Sequence, residues 1–220
     1  MKRSNTIAIL GSTLLTLLAA GCANTGGRTR GSLDDGLLQF VDEAAKQEVQ
    51  EARVIHMQAI DERAAAEYRV KHADGDRRVL VAERRAANEK VKLERERVKT
   101  LTDVESGTEA PAEAHEALAA ASRDLESAQD RIDLHEAQID VLKAELDLAK
   151  TEEAHAAAVV DVWKARALKT LDGEQSTKID LFAFESKEHD CGTEIEISKI
   201  RLWSAQSKVQ TLEDRIGASQ

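Results

Sequence analysis

The chain has 220 residues, with 31 Lys and Arg against 41 Asp and Glu for a formal net charge of −10, and only one proline and two cysteines. With no basic excess to displace counterions, this charge balance speaks against a nucleic-acid partner. The scarcity of proline and aromatic residues, with heavy use of Ala, Glu, Lys, Leu and Arg, is the composition of long helices and coiled coils.

At the N-terminus, Lys2 and Arg3 precede an apolar stretch from Ile7 to Ala20 that holds no charged residue. A bilayer core of about 30 Å needs about 20 apolar helical residues. This stretch is shorter, and it is closed by Gly21-Cys22 and by Asn24-Thr25-Gly26-Gly27. That order is the order of a cleavable secretory signal rather than of a permanent span. Ala19-Ala20-Gly21-Cys22, directly after Leu17-Leu18, resembles the lipobox of bacterial lipoproteins, with Ala19 where leucine is commonest. The resemblance covers residues 1–24 and implies nothing about the remainder. It implies a signal peptide over residues 1–21, then lipidation of Cys22 by a thioether-linked diacylglycerol and an amide-linked acyl chain. At about 0.8 kcal/mol per buried methylene, several chains make a lasting membrane anchor. By the same resemblance, Ala23 in place of an aspartate points to the outer membrane, facing the periplasm, with the inner membrane or the cell surface as alternatives. Loss of Lys2 and Arg3 with the signal would take the net charge from −10 to −12. Residues 22–34 read as a flexible linker from the lipidated cysteine.

The rest is expected to be all-α, an antiparallel three-helix coiled coil over residues 35–216 followed by a tail at 217–220. Two breaks divide it: Ser106-Gly107 to Pro111, with proline suited to a first helical turn, and Asp172-Gly173, followed by Thr177 and Asp180 at capping-box spacing. The expected helices run from about Asp35 to Val104, from about Pro111 to Leu171, and from about Ser176 to Ile216. The second helix carries a 3,4 series that begins Ala114, Leu118, Ala121, Leu125, Ala128, Ile132, His135, Ile139 and continues to Ala167. Such a repeat specifies a left-handed coiled coil and needs a partner. Folding the first helix back about Gly107 supplies one, pairing Leu101 with Ala114, Val91 with Leu125, Leu80 with His135, Val70 with Leu146 and, past a stutter near Ala66, Ile55 with Val160. The two numbers in each layer sum to 215 or 216, as an antiparallel hairpin requires.

A second stripe on the second helix, from Leu134 through His155 to Ala165, lies nearly opposite the first. The third helix has a matching stripe from Leu181 through Phe184, Glu188, Cys191 and Ser198 to Leu212, and folding about Gly173 aligns the two with a constant sum of 346. The distal third is then a bare two-helix hairpin. Neither seam uses Phe182, Ile197, Ile200 and Trp203 on the third helix or Phe40, Met57, Ile60 and Tyr68 on the first. These residues either close a compact bundle or form a contact face for a protein partner or a second copy.

Chemistry-bearing residues are few. His115, His135 and His155 are spaced 20 residues apart, about 30 Å along a helix, too far to surround one metal. His135 reads as a polar layer fixing register. Glu152 and His155 form a Glu-x-x-His pair, and Glu153 is expected to face Glu62, but the second such pair that carboxylate-bridged metal bundles need is missing. Cys191 shares a layer with His155, and with Cys22 lipidated it has no intrachain partner. The basic residues from Arg84 to Arg97 alternate with glutamates as on a solvated helix face. No phosphate loop, nucleophile elbow, zinc-spaced cysteine set or triad pattern occurs. The expectation is no enzyme, no cofactor, no metal and no small-molecule substrate. What remains is a lipid-anchored spacer or scaffold of the cell envelope, bound to the bilayer through Cys22. The alternative is a helical-hairpin binding module of an envelope transport or efflux assembly, similar in architecture to the periplasmic hairpins of efflux adaptors but without their β-barrel and lipoyl-type sequences.

Overall fold

A computed structural model describes residues 33–103, 109–171 and 173–218. The expected signal peptide, Cys22 and the Gly107 turn lie outside the described residues. Within them the chain is helical: a 3₁₀ turn at Asp35–Phe40, α1 at Glu43–Asp103, α2 at Glu109–Lys169, one helical turn at Glu174–Thr177, and α3 at Leu181–Ala218. α1 and α2 have 61 residues each, about 90 Å at 1.5 Å per residue. With 38 residues, α3 reaches about 57 Å.

Side-chain caps decide where the helices begin. The Asp34 carboxylate accepts from the Gly36 amide at 2.8 Å and starts the 3₁₀ turn. Asp42 accepts from the Ala45 amide at 2.8 Å and starts α1, with Val41 extended between them. The first helix therefore begins at Glu43 rather than Asp35, because Asp42 satisfies amides that an open helix end would leave bare. In the same way Asp180, accepting from Ala183 N at 3.2 Å, starts α3 at Leu181 rather than Ser176.

The hairpin seam follows the expected 3,4 series on α2, where Ala114, Ala121, Ala128, Ile132, Ile139, Ala149, Ala156, Val160 and Ala167 are all buried. On α1 one expectation fails. Ile55 is 56% exposed and does not face Val160, and there is no stutter near Ala66. The seam runs unbroken at 3,4 spacing through Val49, Ala52, His56, Ala59, Arg63, Ala66, Val70 and Ala73, then Arg77, Leu80, Arg84, Ala87 and Val91, all buried or half-buried except Arg77. Polar residues take several layers because a long side chain can pack its stem in the seam and send its head to water. Arg63 stands where Glu62 was expected and meets Glu153 at 3.0 Å. Flanking ion pairs confirm antiparallel register: Arg69–Glu145 at 3.2 Å, Arg131–Glu83 at 3.0 Å and Lys90–Asp124 at 2.8 Å. Exposed pairs of this kind add little stability each, about 0–1 kcal/mol, but they oppose a slipped alignment.

The second seam also holds its expected alignment. Arg166–Glu185 at 2.8 Å, His155–Glu188 at 3.0 Å and Lys208–Asp140 at 3.1 Å mark it from one end of α3 towards the other. Phe184, Cys191 and Ser198 are buried along it. α1 and α3 each pack along α2 without an interface between themselves, so the three helices form an open layer with α2 in the middle, not a closed bundle. The physical cause is on α2: its two stripes lie nearly opposite one another, which holds the outer helices apart.

At the Gly173 end the layer thickens into a core. Val41, Val49, Ala167 and Leu168 form one buried cluster, and Val162, Ala165 and Phe184 form a second; Leu33 and Ile179 pack against both. Leu33 and Asp34, the last residues of the expected linker, thus belong to the folded part. Asp35 ties the 3₁₀ turn down, 2.7 Å from Lys164 of α2 and 2.9 Å from Arg53 of α1. The Lys164 ammonium holds the Asp35 carboxyl below its ordinary range, with Arg53 adding to the effect.

Candidate functional site

The apolar residues left over by the two seams stay in water. On α3, Phe182, Ile200 and Trp203 are 78%, 66% and 70% exposed, and Ile197 is 37% exposed. Ile197, Ile200 and Trp203 follow one another at three-residue spacing and so share a face of α3. On the other side Phe40, Met57, Ile60 and Tyr68 are exposed as well. Of the two readings open for these eight residues, bundle closure is overturned, because the helices that would close over them stand on opposite sides of α2. Leaving a large apolar side chain in water forgoes about 1.5–3 kcal/mol of burial.

Four more exposed apolar residues on α1 were missed at the level of sequence: Val54, Ile55, Val79 and Leu93. An apolar pattern alone places Ile55 in the seam, because it is apolar and near the right phase. The signal that finds these residues is the heptad phase of α1 carried straight through its polar layers, which leaves all four off the seam.

The polar candidates separate rather than converge. His115 is exposed, His135 donates from Nε2 to the Ala73 carbonyl at 2.9 Å, and His155 donates from Nε2 to the Glu188 carboxylate at 3.0 Å. The contact of His135 with the facing α1 backbone is the polar layer expected of it. Glu152 lies beside Glu62, and burial followed by the Glu62 charge raises its carboxyl above the usual range. Glu153, by contrast, pairs with Arg63. Among the described residues no group of three or more His, Cys, Asp or Glu is arranged to hold a metal ion. Cys191 is 1% exposed, and the adjacent Gly192 leaves room for the His155 ring, which would lie 3.8 Å from a Cβ placed there.

Where α3 ends, a shallow groove of about 540 Å³ is bordered by all three helices, including Arg77, Asp133, Glu136, Asp140, Lys208 and Arg215. Most of the charges bordering it pair with one another: Arg77 meets Glu136 at 2.6 Å, Lys208 meets Asp140 at 3.1 Å, and Arg215 approaches Asp133 at 4.0 Å. Such a site offers a ligand little that its own residues do not already supply.

The fold and its surfaces define an all-α protein, an open antiparallel three-helix coiled coil whose outer faces carry exposed apolar strips. No protein-family model, curated protein or solved structure matches the chain. No helix among the described residues is long and apolar enough to cross a membrane.

Proposed function

We propose that the chain is a lipoprotein of the bacterial cell envelope, held to the periplasmic face of the outer membrane through acylated Cys22, and that its rod works as a spacer and scaffold rather than as a catalyst. The observation that carries the scaffold reading is the open layer: two outer helices display Tyr68 and Met57 on one side and Ile200 and Trp203 on the other, all more than half exposed. The lipobox-like Ala19-Ala20-Gly21-Cys22 supports the anchor. The reading is also supported by where the described chain begins: Leu33 packs at the Gly173 end of a rod about 90 Å long, so an anchor preceding it would hold the rod by one tip. The test is Cys22→Ser in the full chain. Loss of metabolic palmitate labelling together with loss from the membrane fraction is the expected result; a variant that still labels and still sediments with membranes ends the anchor reading.

The bare distal hairpin favours one second reading, a binding module of a transport or efflux assembly that uses the far tip. Replacing residues 102–113 by a Gly-Ser loop separates the two. Loss of partner recovery at unchanged helix content supports the tip module, and unchanged recovery supports the plain scaffold.

A further inference from the structure

We draw no further inference here: the strongest candidate, the exposed apolar strip of Ile197, Ile200 and Trp203 on the outer face of α3, is unpartnered, with the Glu196–Lys199 ion pair beside it, and nothing in the structure shows what covers it.

Discussion

At the end of the rod that holds Asp35 and Gly173, bulky residues from four segments meet: Phe184 from α3, Leu168 and Trp163 from α2, Val49 from α1 and Leu33 from the 3₁₀ approach. At the other end only two helices remain, and what they bury is small, Ala114 and Ala121 at 0% exposure with Val91 at 7%. Both ends obey the same 3,4 spacing. They differ in how much apolar surface each layer removes from water, and that quantity scales with stabilisation at about 25 cal/mol per Å². The lesson is that an uninterrupted heptad pattern fixes geometry along the whole rod while cohesion is concentrated at one end.

The sharpest way to break this comparison is to truncate a side chain at each end. Phe184→Ala is expected to cost about 3–5 kcal/mol, and Val91→Ala about 1.5 kcal/mol from its lost methyl groups, both read from urea midpoints. Equal losses would show the two ends to be equally cohesive. Overpacking the distal seam comes next. Ala121→Leu, at a fully buried seam position, should cost about 1–3 kcal/mol; hydrogen exchange should speed up in residues 80–103 and 109–129 while the amides around Val162 keep their protection.

A smaller effect is expected at the tie that holds the 3₁₀ turn. Asp35→Asn loses the charge that meets Lys164 and Arg53, and after solvent screening this should cost about 1 kcal/mol near pH 7. Because the Asp35 carboxyl is lowered from 3.8 in the fold, its contribution is present above that value and is lost as pH falls through the lowered one. Wild type and Asp35→Asn should therefore converge in acid. The smallest effect has the opposite sign. Burial and Glu62 raise the Glu152 carboxyl above 4.5, so the folded chain favours the protonated form, and stability declines as pH rises through the raised value. Glu152→Gln should gain roughly 0.5 kcal/mol or less at pH 7, and the gain should vanish at acid pH; a gain that persists in acid would locate its cause in packing instead.

Much of this molecule could be read before folding it. The break about Gly173, the antiparallel sense of both turns and the alignment of α2 with each neighbour all follow from where apolar residues recur, since a buried stripe tolerates no slip that would carry it into water. The polar layers could not be read in that way. Arg63 and His56 hold seam positions on α1; an apolar pattern skips them for Ile55 and so contains a stutter that the helix does not. The exposed strips were half legible: Ile200, Trp203 and Tyr68 were recognised as unused, while Val79 and Leu93 became visible only once the phase of α1 was known.

What the sequence determined by itself is therefore one-dimensional: the order of the long helices, their register and their direction, all set by a periodicity that each helix carries along its own length, while the side-chain caps at Asp42 and Asp180 moved two of the helix starts by eight and five residues. Tertiary structure decided the relations that no single periodicity contains. Whether α1 and α3 touch depends on the angle between two stripes on α2, and whether Phe184 meets Ile179 and Leu33 depends on where two short connections bring the chain back. Those outcomes turn an amphipathic pattern into an open layer, because the faces of a helix are recorded in the sequence but their occupants are chosen in space.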